Sequence, residues 1–284
     1  MRSLLFIPAD SERKLAKAYS ARADVVIFDL EDSVAPARKP AAREMAADTI
    51  AAAPEEAVTC VRVNPLDSGL IDDDLAAVMP AAPDLIMLPK SEAGRDVMAL
   101  AARLAVHEAE IDLPEGATRI VAIATETAAS LFGLGTYAVG PRLAGLAWGA
   151  EDLGAALGVS RKRRPDGAYT DPFRTARTLC LAGAVAADAA PIDTVYTDIA
   201  NLEGLEAECE AAAADGFTGK MAIHPKQVPI INAAFTPSPE AVAWAASIVA
   251  AFAANPDAGV INLHGEMVDR PHLKNAERIL ARTR

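Results

Sequence analysis

The chain has 284 residues and 52% of them are hydrophobic, so it can bury a large core without disulfide or metal crosslinks. Its formal net charge of -12 excludes a general nucleic-acid binder, because such a protein needs a basic surface to displace counterions. No apolar run is long enough to span a bilayer, so we expect no membrane partner.

Short apolar segments alternate with helical segments along most of the chain. Eight of them are predicted to be strands, at residues 3–8, 25–30, 59–64, 85–89, 119–124, 143–148, 194–197 and 220–223. Most are apolar without alternation, which is typical of parallel strands covered on both faces. Ala- and charge-rich segments with helical spacing lie between them, for example at 35–53 and 92–110. Eight such units favour a (β/α)8 TIM barrel. An open flavodoxin-like or Rossmann sheet is disfavoured, because no GxGxxG motif follows the first strand.

The pattern changes after Pro225, where the chain no longer continues the count of barrel units. Residues 1–235 are predicted to form the TIM-barrel catalytic domain, and residues 236–284 a C-terminal helical extension. The extension is predicted to contain helices at 240–253 and 272–282 and a short strand at 260–263. It either caps the barrel mouth or packs on a neighbouring subunit, and we expect the second arrangement.

A polar, turn-rich segment, SRKRRPDGAYTD at residues 160–171, follows the sixth predicted strand and is interpreted as a long loop. Its four consecutive basic residues, 161–164, belong either to a solvated loop or to a surface that attracts an anionic cofactor. The solvated loop is the simpler interpretation.

Charged residues close most of the predicted strands. In TIM barrels the active site lies at the C-terminal ends of the strands, so these residues should gather at one rim. They are Asp29, Glu31 and Asp32 for strand 2, Arg62 for strand 3, Lys90 for strand 4, Glu126 for strand 5, and Glu151 and Asp152 for strand 6. A purely structural barrel does not need them, because buried charges cost desolvation unless they are paired or bind a metal.

Six carboxylates at this rim face only two cations, Arg62 and Lys90. Crowded carboxylates raise each other's pKa unless a divalent cation neutralises them. None of the four histidines lies among them, and a site of oxygen ligands favours Mg2+ or Mn2+ over Zn2+. Arg62 is suited to bind a substrate carboxylate at two points, whereas Lys90 is either a Schiff-base lysine or a partner that orients an acid. For any one acid alone, a helix cap or an ion pair is the simpler interpretation.

The chain has three cysteines, Cys60, Cys180 and Cys209, and no pair of them has metal-ligand spacing. This usage is typical of a reducing compartment. The N-terminal segment MRSLLFIPADSERK has an apolar run only as long as a strand and lacks the apolar region of a signal peptide. We therefore expect a cytoplasmic protein.

Seven segments resemble, in order, the signature segments of the HpcH/HpaI aldolase and citrate lyase β-subunit superfamily. They are LLFIPAD, VIFDLEDSV, VRVN, LIMLPK, ATETA, LAWGAEDLG and GKMAIHPKQV. The resemblance extends from Met1 to about Ile231, and GEMVDRPHLKNAERIL resembles the family's C-terminal segment. The combination of DLED, GAED and AIHPKQV in this order is highly specific, whereas any one of them alone is weak.

The resemblance implies a (β/α)8 barrel with a C-terminal extension and a metal-dependent carbon–carbon lyase. It implies that Glu126 and Asp152 hold Mg2+, with Mn2+ as an alternative. It implies that Arg62 binds the carboxylate of a 2-oxo acid such as oxaloacetate or glyoxylate, and that Glu31 and Asp32 orient Arg62 and the metal-bound waters. The rest of the expected substrate-binding set consists of Lys90 and the backbone N–H groups of Gly149, Ala150 and Glu151.

The substrate implied by the resemblance is a 3-hydroxyacyl thioester of coenzyme A or of an acyl-carrier protein, such as a citryl or malyl thioester. Its cleavage yields an acyl thioester enolate, which must be protonated, and the resemblance implies that Asp269 is this acid–base residue. From the sequence alone, Asp269 is equally well interpreted as the cap of the last helix. Many relatives are homotrimers or hexamers, which implies a homo-oligomer in which the tail of one subunit covers the site of the next.

Two other functions stay open at this stage. One is an aldolase that acts on free hydroxy-oxo acids without coenzyme A, which a histidine at the strand ends would favour. The other is a subunit that carries the barrel but works only within a larger complex.

Overall fold

The computed structural model describes residues 1–283. Eight parallel strands form a closed barrel in which each strand pairs with its neighbours in chain order and the last strand pairs with the first. They are β1 Ser3–Pro8, β2 Val25–Asp29, β3 Val58–Arg62, β4 Leu85–Leu88, β5 Arg119–Ile123, β6 Leu143–Ala147, β7 Ala190–Asp193 and β8 Gly219–Ala222. The predicted (β/α)8 TIM barrel is therefore confirmed.

The helices that follow the barrel strands are α1 Glu12–Leu15, α2 Lys39–Ala51, α3 Ile71–Val78, α4 Gly94–Glu110, α5 Ala150–Leu157, α6 Asp171–Ala186, α7 Leu202–Asp215 and α8 Val228–Ala234. The helices predicted at 35–53 and 92–110 are present as α2 and α4, although both begin a few residues later than predicted. Two helices, α5 and α6, lie between β6 and β7, whereas β5 and β6 are joined through two short 3-10 turns. The part of the chain that the structure describes contains no helix with both the length and the apolar character needed to cross a membrane.

The seventh strand was wrongly predicted. It comprises Ala190–Asp193, whereas residues 194–197 follow it as a loop. The sequence TVYT has high β-propensity, and Pro191 makes the true strand an unfavourable candidate because proline lacks an N–H for the ladder. Pairing with Gly145, Leu146 and Ala147 of β6 overrides both local preferences.

Apolar side chains fill the barrel interior, among them Val25 and Ile27 of β2 and Cys60 of β3. Successive side chains of a strand point to opposite faces, so the next interior positions on these strands are Asp29 and Arg62. The two residues are also register partners across β2 and β3. The alternation that builds the core therefore brings a carboxylate and a guanidinium together at the C-terminal rim.

Residues 233–283 form a second compact unit, which begins three residues before the predicted start at 236. It contains α9 Pro239–Ala254, β9 Val260–Leu263, β10 Glu266–Asp269 and α10 Arg270–Ala281. The two strands form an antiparallel hairpin, and the second strand was not predicted. Ile248, Phe252 and Val268 belong to the core of this unit. Packing of the unit on a neighbouring subunit stays a prediction.

Candidate active site

Most of the strand ends that the sequence singled out line one cavity at the C-terminal rim of the barrel. Its wall contains Asp29, Asp32, Arg62, Glu126 and residues 149–152, together with apolar side chains such as Phe6 and Met221. The lining thus combines carboxylates with apolar side chains. Glu31 and Lys90 do not line the cavity but contact two residues that do, Arg62 and Glu126.

Arg62 is held by carboxylates on two sides. Its Nε and Nη2 donate to the two oxygens of Asp29 at 2.7 Å each, and its Nη1 lies 2.9 Å from Oε2 of Glu31. Its guanidinium also lies over the Phe6 ring, 4.8 Å from the centroid. Burial alone would raise the pKa of Asp29, but Arg62 outweighs this effect and holds it below its usual value. The guanidinium is therefore fixed in place.

The structure assigns the contacts of Arg62 differently from the expectation. Glu31 does contact Arg62, but the second partner is Asp29, whereas Asp32 is half-exposed and lies 3.6 Å from Lys90. From the sequence, Asp29 was expected at the rim but not as a partner of Arg62. The contact between Asp29 and Arg62 could have been predicted from the sequence, because each residue lies two positions after an interior residue on adjacent strands.

Lys90 is an ion-pair partner in this structure. Its ammonium donates to Oε1 of Glu31 at 2.6 Å. Burial lowers the pKa of Lys90, but Glu31 outweighs this effect and raises it above the ordinary value. A Schiff-base lysine must lose its proton at working pH, so this environment favours the interpretation of Lys90 as a residue that orients an acid.

The backbone of Lys90 also serves the site. Its φ of 52° lies in the left-handed region, which residues other than glycine seldom adopt. This turn directs the Lys90 N–H at Oε2 of Glu126, with a distance of 2.5 Å. A strained turn directly after a strand therefore orients the acid that was predicted to bind metal.

Glu126 is buried, and its pKa is raised to about 8, first by burial and then by the charges of Glu31 and Asp152. The two predicted ligands are thus close enough to interact electrostatically. Gly149 lies against Glu126, because a Cβ at that position would come within 2.7 Å of the Glu126 Cγ. Only glycine lets the turn before α5 approach the acid this closely.

The turn at residues 149–152 is anchored by two threonines that sequence analysis did not identify. The N–H of Gly149 donates to the Thr125 hydroxyl at 2.9 Å, and that of Ala150 donates to the Thr194 hydroxyl at 3.3 Å. Two of the three backbone N–H groups expected to bind substrate are therefore already bonded. The side chain of Glu151 pairs with Lys162.

The carboxylates of this rim fit a Mg2+ ion that keeps part of its water shell. Within residues 1–283, no three or more Asp, Glu, His or Cys side chains are arranged as a metal cage. Mg2+ usually takes one or two carboxylates and retains several waters, so Glu126 and Asp152 form a sufficient pair. Oε2 of Glu31 is buried and makes no well-aligned hydrogen bond, although Nη1 of Arg62 lies 2.9 Å away as its ion-pair partner, so this oxygen keeps a lone pair for a further donor such as a water on the metal.

Asp269 belongs to the C-terminal unit and caps α10. Its carboxylate accepts hydrogen bonds from the backbone N–H of His272 at 3.3 Å and pairs with His272 Nδ1 at 2.6 Å. The hydrogen bond from the His272 side chain lowers the pKa of Asp269. The capping interpretation is therefore confirmed, and the acid–base role stays a prediction.

Three of the four basic residues of the loop at 160–171 are paired within the chain. Lys162 bonds Glu151, Arg163 bonds Glu208, and Arg164 bonds Asp171. These pairs use much of the positive charge that an anionic cofactor would require.

The closed barrel and its charged C-terminal rim place the protein among the TIM-barrel enzymes. More narrowly, the chain belongs to the HpcH/HpaI aldolase/citrate lyase family, whose model matches residues 2–225. This is a family of carbon–carbon lyases, so the predicted family and enzyme class are both confirmed.

The relatives match this chain over nearly its whole length. The citrate lyase subunit beta-like protein of Mycobacterium tuberculosis is 41% identical over 278 residues, which cover 98% of this chain and 94% of that protein. The (3S)-malyl-CoA thioesterase of Cereibacter sphaeroides is 37% identical over 284 residues, covering 99% of this chain and 94% of that protein. A crystal structure of CitE from M. tuberculosis with magnesium, acetoacetate and coenzyme A has a TM-score of 0.75 at 38% identity, covering 99% of this chain and 97% of that one.

Proposed function

We propose that the protein is a Mg2+-dependent lyase that cleaves or forms a 3-hydroxyacyl thioester of coenzyme A, such as citryl- or malyl-CoA. The products of cleavage are an acyl thioester and a 2-oxo acid, either oxaloacetate or glyoxylate. The observation that carries this proposal is the pair of carboxylates, Glu126 and Asp152, beside an arginine held by two further carboxylates. One relative is named a (3S)-malyl-CoA thioesterase and another was crystallised with magnesium, acetoacetate and coenzyme A, and both support the same class of substrate.

Glu126 and Asp152 would hold the metal, which would supply Lewis-acid polarisation of the hydroxyl oxygen that becomes the carbonyl oxygen of the 2-oxo acid. Arg62 keeps its guanidinium at the rim because Asp29 and Glu31 hold it, so little rotamer entropy is lost when it binds the substrate carboxylate. Oε2 of Glu31, which keeps its ion pair with Arg62, would accept a hydrogen bond from a water on the metal and so orient that water. Glu151 and Asp152 lie in the first turn of α5, where a backbone N–H has no hydrogen-bond acceptor within the helix. Their N–H groups are therefore suited to bind a carboxylate.

Cleavage breaks the bond between the hydroxyl-bearing carbon and the α-carbon of the thioester. The bonding electrons pass to the α-carbon as a thioester enolate, and the hydroxyl proton passes to solvent as the carbonyl of the 2-oxo acid forms. The enolate then takes up a proton. We propose that Asp269 of a neighbouring subunit exchanges this proton in a homo-oligomer, a trimer or a hexamer. Its lowered pKa makes it a carboxylate at neutral pH, as a base in the synthetic direction requires.

The test is an assay of the pure protein with malyl-CoA and with citryl-CoA, in Mg2+ and in EDTA, with products identified by mass spectrometry. We expect acetyl-CoA and the 2-oxo acid in equal amounts, in Mg2+ only. Glu126→Gln should abolish this activity, whereas Glu108→Gln, at a buried carboxylate paired with Arg142, should retain it.

Three outcomes would contradict the proposal. Release of free coenzyme A and a hydroxy acid would indicate a thioesterase. Cleavage of free hydroxy-oxo acids alone would indicate an aldolase that does not use coenzyme A. Activity that appears only after addition of other subunits would indicate a component of a larger complex.

A further inference from the structure

A buried cluster of charges lies on the outer face of the last two barrel strands. Lys220 of β8 is 0% exposed and Asp193 of β7 is 1% exposed. Ile192 and Met221, their neighbours in the chain, belong to the barrel interior, so the two charged side chains point outward. The Lys220 ammonium donates to Asp193 at 2.7 Å and to Glu208 of α7 at 2.8 Å.

The cluster continues toward the loop at residues 160–171. Glu208 accepts a hydrogen bond from Arg163 at 2.5 Å, and the Arg163 guanidinium lies 3.8 Å from the centroid of the Tyr169 ring. Trp148 packs edge-on against Tyr169, with ring centroids 5.1 Å apart. The charges thus connect one strand pair, one helix and one loop.

Stability alone does not explain such a cluster. Replacing a buried ion pair by well-packed apolar residues is often neutral or stabilising, because the ions lose their hydration. Burial opposes the charge of Lys220, yet Asp193 and Glu208 outweigh it and raise the pKa of Lys220. The ammonium therefore stays charged inside the protein, and its role must be sought in what it holds in place.

The cluster contacts the chain on both sides of the turn at residues 149–152, which consists of Gly149 and the first turn of α5. Trp148 precedes this turn, and its Nε1 donates to Asp193 at 2.6 Å. Asp193 in turn precedes Thr194, whose hydroxyl accepts the N–H of Ala150. On the far side, Lys162 of the loop bonds Glu151 and lies 3.5 Å from the position of a Cβ on Gly154.

We propose that Lys220 is a positioning residue that acts through Asp193 and Glu208 to hold the turn at residues 149–152, and with it Asp152, in its binding geometry. This inference rests on the proposed function for its link to metal, but the positioning itself is independent of it. Loss of Lys220 removes the cation that the buried Asp193 and the part-buried Glu208 share. Asp193 then keeps Arg177, whose Nε lies 3.5 Å from its Oδ1, and Glu208 keeps Arg163, but neither arginine lies between the two carboxylates as Lys220 does. Repulsion between the two carboxylates should displace Trp148 and release the turn.

The test compares Lys220→Met with Arg142→Met. Arg142 forms a buried pair with Glu108 directly before β6, at the opposite end of the strand from Trp148. The two variants therefore each remove the cation of a buried cluster, but only one cluster adjoins the turn. The measurements are thermal unfolding, hydrogen–deuterium exchange of the peptide covering residues 146–158, and calorimetric titration with Mg2+ in the presence of oxaloacetate.

We expect Lys220→Met to exchange faster at the turn and to bind Mg2+ about tenfold to a hundredfold more weakly, as for other residues that orient metal ligands. Lys220→Arg should restore part of this loss. Arg142→Met should lose comparable thermal stability while the exchange of the turn and the Mg2+ affinity stay within twofold of wild type.

Unchanged exchange at the turn in Lys220→Met would overturn the proposal, as would equal effects in both variants. If Lys220→Met does not fold, Lys220→Gln, whose amide can still donate to one of the two carboxylates, replaces it, and wild-type exchange at the turn in Lys220→Gln overturns the proposal. If wild type shows no Mg2+ binding, the proposed function fails, and the exchange measurement still decides whether Lys220 positions the turn.

Discussion

Replacing Glu126 by glutamine should change the way in which the stability of the metal-free protein depends on pH. The pKa of Glu126 is raised from 4.5 to about 8, first because the carboxyl is buried and then because Glu31 and Asp152 lie nearby. Between these two pH values the folded protein keeps a proton that the unfolded chain has released. Stability contributed by this group is therefore present at low pH and is lost as the pH rises toward 8.

The magnitude follows from the displacement of the pKa. Each pH unit between 4.5 and 8 removes about 1.4 kcal/mol, so the whole interval removes on the order of 5 kcal/mol from the free energy of unfolding. Glutamine is neutral at every pH, and its carbonyl can still accept the Lys90 N–H that Glu126 accepts. The variant should therefore lack this loss and be more stable than wild type at pH 8.

The assay is urea unfolding of both proteins in EDTA at half-unit steps from pH 5 to pH 9. Glu108→Gln is the control, because the pKa of Glu108 is lowered by Arg142 despite burial, so this variant should keep the slope of wild type. Added Mg2+ should restore stability to wild type at pH 8 and leave Glu126→Gln unchanged. A difference between wild type and Glu126→Gln that is constant across this range would refute the reasoning.

Three further predictions concern substrate and metal binding. Arg62→Lys should weaken oxo-acid binding in a titration by about 1.5–3 kcal/mol, because an ammonium cannot form the two parallel bonds of a guanidinium. Arg142→Lys, at an equally buried ion pair, should leave the oxo-acid affinity unchanged. A dissociation constant for Arg62→Lys within twofold of wild type would contradict the role of Arg62. Gly149→Ala should lose Mg2+ affinity, because the added Cβ comes within 2.7 Å of the Glu126 Cγ. The control is Gly135→Ala, whose added Cβ meets no atom within 4 Å and which should bind Mg2+ as wild type does. Equal Mg2+ affinity in both variants would contradict the close approach of Gly149 to Glu126. Two variants, Asp269→Ala and Arg62→Ala, should each be inactive. If Asp269 serves a neighbouring subunit, mixing the two variants under conditions of subunit exchange should restore activity, because some sites then contain an intact Arg62 and an intact Asp269. Mixing that is confirmed by mass spectrometry but does not restore activity would contradict a shared site.

The sequence alone determined the barrel and the position of its site, because both depend on local periodicity. Eight apolar runs separated by helical segments have few arrangements besides a closed parallel barrel, and polar residues that close such strands must meet at one rim. Glu126, Asp152 and Arg62 were therefore placed at this rim without coordinates, and their roles, which the family resemblance implies, stay predictions. The family motifs narrowed the chemistry further than composition could.

Only the tertiary structure decided which of these charges contact each other. Strand register pairs Arg62 with Asp29, whereas Asp32 lies beyond the end of β2 and is half-exposed. The seventh strand was misplaced for the same reason, because its position depends on pairing with β6 and not on its own residues. The buried cluster around Lys220 has no sequence signature at all. It joins residues up to 45 positions apart, and only the packing of α7 and the loop against the outer face of the barrel brings them together.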